Sequence, residues 1–80
     1  MKKFQQKVYQ YTAIFELNEY SGYTVIVPAL PGLVTQGKDL DDARRMAEDA
    51  IRCYIEGLRK IKETIPKEKE IAQIRVQVSV

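Results

Sequence analysis

The chain contains no histidine and no tryptophan, a single cysteine, and little net charge, with 13 Lys and Arg against 11 Asp and Glu for a balance of +2. Lack of histidine removes the commonest general base and the commonest metal ligand. Cys53, alone, cannot close an intrachain disulfide, which fits a reducing compartment, and the cytoplasm is the expected location. The near-balanced charge supplies no concentrated basic patch of the kind that holds nucleic acid or an acidic membrane surface. No run approaches the ~20 apolar residues needed to span a bilayer. The start of the chain, MKKFQQKVYQ, has lysines but no apolar stretch behind them, so it does not read as a secretory leader.

What is present is ordinary globular composition, 45% hydrophobic and 30% charged over 80 residues. One domain spanning residues 1–80 is expected, without repeats or linkers. A chain of this size buries only about 60% of the surface it exposes when unfolded, so it gains from a partner.

Residues 8–17 are rich in aromatic and β-branched types. Tyr9, Tyr11, Ala13, Phe15 and Leu17 share one parity, which predicts a strand. Asn18-Glu19-Tyr20-Ser21-Gly22 reads as a turn, and residues 23–27 as a second strand with Tyr23, Val25 and Val27 on one face. Pro28 cannot donate to a ladder and should end it. A kinked connection through Pro31 and Gly32 leads to a short third strand at 33–36, stopped by Gly37. Asp39 stands where a helix N-cap belongs, followed by Asp41 and Asp42 at the positive end of the dipole.

From 40 to about 62 the period changes. Leu40, Ala43, Ala47, Ala50, Ile51, Tyr54, Leu58 and Ile61 recur at three- and four-residue spacing, one apolar stripe on an amphipathic helix. Glu48 with Arg52, and Glu56 with Lys60, stand at i,i+4. Gly57 marks either a close helix–sheet approach or an unoptimised position. Pro66 forbids continuation of the helix. Ile74, Val76, Val78 and Val80 then alternate with Arg75, Gln77 and Ser79, the clearest period-two signal in the chain. The expected architecture is α+β in the order β-β-β-α-β: a four-stranded mixed sheet covered on one face by one long helix. The other face keeps Val8, Ile14, Ile26 and Val34, which implies an oligomer or a partner.

Tyr11-Thr12-Ala13-Ile14-Phe15-Glu16, Gly22-Tyr23-Thr24-Val25, the run from Val27 through Pro28, Leu30, Pro31, Gly32 and Thr35 to Gly37, and Leu40 through Ala43 together resemble the HicB-like antitoxins. The likeness covers about residues 11–61, and its long piece P-x-L-P-G-x-x-T-x-G is specific. Tyr11, Gly22, Tyr23, Pro28, Pro31, Gly32, Gly37 and Ala43 carry it in structural roles. The resemblance implies a partial RNase H-like fold with sheet order 3-2-1-4. It also implies a protein that binds and occludes a small HicA-like, mRNA-cleaving toxin. Longer members add a C-terminal DNA-binding segment. No residues of that kind follow here, so direct DNA binding is not expected.

Each chemical signal has a plainer explanation. An RNase H-like sheet raises a metal-dependent nuclease, which needs several carboxylates converging on divalent cations. Only Glu16 is well placed for that, because Asp39, Asp41 and Asp42 suit the helix start. Cys53 lacks a histidine partner, so it reads as a small residue flanking the buried stripe. Of Tyr9, Tyr11, Tyr20, Tyr23 and Tyr54, three alternate with the core face, and basic residues are not interleaved with them, which weakens an RNA-stacking reading. No catalytic residue, metal or cofactor is assigned, and the expected activity is non-enzymatic. A toxin that binds RNA carries positive charge, so Glu16, Glu19, Asp41 and Asp42 are the candidate partner contacts. Ile74, Val76, Val78 and Val80, on an edge strand, are the candidate interface of a homo-oligomer, a dimer or a tetramer. The alternatives are an orphan relative acting as an oligomeric interaction protein without a cognate toxin, and the nuclease.

Overall fold

A computed structural model of the chain describes residues 7–80. Residues 1–6, on which the reading of the N-terminus rests in part, lie outside that range. The elements are β1 (Ile14–Leu17), β2 (Tyr23–Ile26), β3 (Val34–Gly37) and α1 (Leu40–Lys60). The strands form an antiparallel meander in the order β1-β2-β3. Among the described residues this is a three-stranded sheet with one helix, and it corrects the expected four-stranded arrangement. The segment containing Ile74, Val76, Val78 and Val80 pairs with no other strand among the described residues. A period-two pattern encodes a preference for a pleated, half-buried environment and does not specify which edge supplies it.

Cross-strand register sorts the side chains. Phe15, Val25 and Thr35 form one row, and Leu17, Tyr23 and Gly37 another, both facing α1. The opposite face carries the rows Ile14–Ile26–Val34 and Glu16–Thr24–Gln36. Three of the four residues expected on this bare face therefore stand in or beside one apolar row. Val8 precedes the paired strand. Only the last part of the expected 8–17 strand pairs, because β2 ends at Ile26 and leaves residues 8–13 with no strand opposite.

After β2 the chain makes two consecutive turns. Leu30 N–H donates to the Val27 carbonyl at 2.9 Å, and Leu33 N–H to the Leu30 carbonyl at 3.1 Å. Pro31 at the second position and Gly32 at the third, with φ +84°, are the residues a type II turn requires. These turns drop Leu30 and Leu33 inward beside Val27, where Tyr11, Ala13, Ala50, Ile51 and Tyr54 pack around them. Val25, Ala43 and Ala47 make a second cluster with Ala13, Phe15 and Tyr23. Burial of each such aliphatic side chain contributes about 1.5–3 kcal/mol.

Asp39 caps α1 as expected, its carboxylate accepting from the Asp42 N–H at 2.7 Å. The helix ends earlier than the pattern suggests. Glu63 N–H donates to the Leu58 carbonyl at 2.9 Å and Lys62 N–H to that of Arg59 at 3.1 Å, with Lys62 at φ +57°. That is a Schellman closure, and it stops the helix at Lys60 before Pro66 is reached. The buried stripe runs largely along the expected residues, with Ala43, Ala47, Ala50, Ile51 and Tyr54 packed in or against the core. Ile55, outside that stripe, is buried as well, whereas Leu40 and Ile61 at its two ends are exposed. Arg52 reaches Asp49 at 3.0 Å rather than Glu48.

Candidate partner-binding surface

The β1–β2 turn and the start of α1 come together at one end of the sheet. Asn18 organises the turn. Its side-chain oxygen accepts from the Tyr20 N–H at 2.9 Å and the Gly22 N–H at 3.0 Å, and its backbone N–H donates to the Gly22 carbonyl at 2.8 Å. This Asx geometry replaces ladder bonds the turn cannot make. Ser21 takes a left-handed φ of +65°, which swings the tip outward. Tyr20 is left 83% exposed, and Glu19 beside it is exposed too.

Across from the turn, the Asp42 carboxylate accepts from the Lys38 N–H at 2.9 Å and lies 3.6 Å from the Arg45 guanidinium. Asn18, Tyr20, Gly22, Gln36, Gly37, Lys38 and Asp42 line a shallow depression of about 380 Å³. It is wide and open, suited to receiving a protruding group of a macromolecule rather than to enclosing a small substrate.

The structure distributes the four acidic candidates unevenly. Asp42 lines the depression, but its carboxylate already serves the helix start. Asp41 is exposed on the first helical turn, and Glu19 on the adjacent turn. Glu16 sits on the bare sheet face, in the row that reaches Gln36 through Thr24. Asn18, Tyr20, Gln36 and Lys38 were not singled out from sequence. Tyr20 gave a usable signal, since a large aromatic inside a turn has no core face to join.

A second opening, a groove of about 640 Å³, lies between residues 7–11 and 63–68. Tyr11 crosses it, its hydroxyl donating to the Pro66 carbonyl at 2.6 Å. Partial burial, then Tyr9 and the Glu68 carboxylate, push the Tyr11 hydroxyl above its ordinary value of 10.0. The Arg59 guanidinium stands 5.7 Å from the Tyr9 ring centre. Cys53 is exposed on α1, to one side of the buried stripe. Among the described residues no group of three His, Cys, Asp or Glu side chains is placed to hold a metal ion, and no helix is long and apolar enough to cross a membrane.

Comparison with known proteins adds a lineage to this geometry. A family model described as the HicB-like antitoxin of bacterial toxin–antitoxin systems matches residues 11–79. A UPF0150 protein of Thermoplasma acidophilum is 48% identical over 59 residues, covering 74% of this chain and 86% of that protein. A UPF0150 protein of Synechocystis is 32% identical over 68 residues, covering 85% of this chain and 86% of that protein. An uncharacterised 14.9 kDa protein of Haemophilus phage HP1 is 40% identical over 52 residues, 65% of this chain and 39% of the phage protein. No solved structure matches the chain significantly.

Proposed function

Since the chain belongs to the family of HicB-like antitoxins, we propose that it binds a small, basic, HicA-like ribonuclease in the cytoplasm and covers that enzyme's RNA-binding surface. The observation that carries this reading is the family match across residues 11–79. The exposed turn supports it with a specific docking element. Tyr20 offers a large amphipathic side chain on a tip held by Asn18, Glu19 puts negative charge next to it in the turn, and Asp41 carries exposed charge on the first turn of α1. Exposed aromatics of this kind anchor interfaces, and complementary charge steers a cationic partner. Inhibition then needs no chemistry from this chain, because the toxin's substrate is excluded sterically.

The test is co-purification with a small, basic, HicA-like ribonuclease, followed by calorimetric titration. Tyr20→Ala should weaken binding by about 10–100-fold, the loss typical of a central interface aromatic. Glu19→Lys should weaken it further at low salt than at high salt. Unchanged affinity in both variants refutes this surface, and no binding at micromolar concentration refutes the antitoxin reading.

One observation favours a second reading, an oligomeric interaction protein without a toxin. Ile74, Val76 and Val78 are 75–78% exposed, which suits self-association better than toxin capture. A neighbouring gene for a small basic protein favours the antitoxin, and its absence favours this alternative.

A further inference from the structure

The residues with the strongest strand pattern are the ones left without a strand to join. Every residue from 71 to 80 is exposed, with the apolar parity of Ile74, Val76 and Val78 turned to water. The described chain also offers a place for such a strand. β1 is an edge of the sheet, and no backbone bond of the described residues engages its outer side. The helix lies chiefly over β2 and β3. Leu17 on β1 therefore remains 69% exposed although it shares the helix-facing side.

The tail leaves from beside the start of β1. Tyr11 holds Pro66 at 2.6 Å, and the Glu68 carboxylate accepts from the Thr12 hydroxyl at 2.7 Å, just before β1 begins. Lys69 and Glu70 follow as an exposed hinge, and the tail leaves. An element anchored beside an empty edge of its own fold, yet not seated on it, is the arrangement that exchanges between identical chains at little cost.

We propose that residues 71–80 of one copy add as a strand to the β1 edge of a second copy, reciprocally, to make a strand-exchanged homodimer. The backbone groups of both segments then find partners, and the valine parity covers Leu17. The surface area is of the right size. The chain exposes 7553 Å², about 2,600 Å² more than the ~4,900 Å² expected of a compact protein of its mass. A stable dimer needs about 1,200–2,000 Å² buried in total. The extents of 64 × 27 × 23 Å agree, since ten extended residues reach ~33 Å. The inference does not depend on the antitoxin reading.

Sedimentation equilibrium of the full chain tests it, with the protomer mass of 9.2 kDa as reference. The native chain should sediment at twice that mass. The double variant Val76→Pro/Gln77→Pro should sediment as the monomer, because consecutive N–H groups point to opposite sides and one of the two must enter the ladder. Arg75→Ala/Gln77→Ala, which keeps every N–H, should remain dimeric. Unchanged helical circular dichroism in all three shows that the sheet and helix persist. A native chain at monomer mass, or a proline variant still at dimer mass, overturns the proposal.

Discussion

Adding one methyl group at Gly37 and at Gly57 is expected to move stability in opposite directions. At Gly37 a Cβ would stand 2.8 Å from the Asp42 carbonyl carbon and closer still to the backbone N and Cα of Ala43. All three are backbone atoms of the first turn of α1, which the Lys38 N–H to Asp42 carboxylate bond ties to the end of β3, so none is the movable end of a side chain. Relief requires the helix to lift away from β3, and overpacking of this kind costs about 1–3 kcal/mol. At Gly57 a Cβ meets nothing within 4 Å. Of the two explanations open for this glycine, a close approach or an unoptimised position, the structure leaves the second. Gly57→Ala should therefore gain about 1 kcal/mol of helix propensity. The two variants should differ by about 2–4 kcal/mol, the sum of those magnitudes. Urea unfolding followed by helical ellipticity, at one fixed protomer concentration, measures both, since self-association makes midpoints concentration-dependent. Gly37→Ala as stable as the native chain, or Gly57→Ala less stable, would refute the reasoning.

Two further outcomes follow from the caps and the groove. Asp39→Ala should lose about 1 kcal/mol, because the Asp42 N–H is left without its carboxylate acceptor, and the same urea titration reads it. Asp39→Asn should retain most of that, since the amide oxygen can still accept. The Tyr11 hydroxyl keeps its proton to higher pH in the folded chain than in the unfolded one. The stability it adds is thus fully present below pH 10, the unfolded value, and is lost as pH rises through the higher folded value. The stability difference between native chain and Tyr11→Phe should shrink as pH rises above 10; a difference that grows with alkalinity would contradict it.

The legible parts of the fold were those set by local rules. Pro28 and Gly37 mark the ends of β2 and β3 to within one or two residues, Asp39 marks the cap, and the period change at Leu40 marks the helix. What the sequence could not convey was which elements meet. The 74–80 alternation predicts a fourth strand, yet none forms there among the described residues; pairing depends on where the preceding connection is tethered, and Pro66 and Glu68 tether it beside Tyr11 and Thr12. The burial of Ile55 was likewise hidden. So was the close approach of Ala43 to Gly37, a contact between residues on different elements. Of the binding surface, the acidic residues were visible as exposed charge. The depression between Asn18 and Lys38 exists only once the turn and the helix start stand together.

The central claim is that this chain acts by covering another protein. Its most direct measurement is RNA cleavage by a small HicA-like ribonuclease, titrated with the full chain. Cleavage should fall linearly and vanish near one chain per ribonuclease, with Tyr20→Ala requiring a large excess. Undiminished cleavage at saturating complex formation would contradict occlusion.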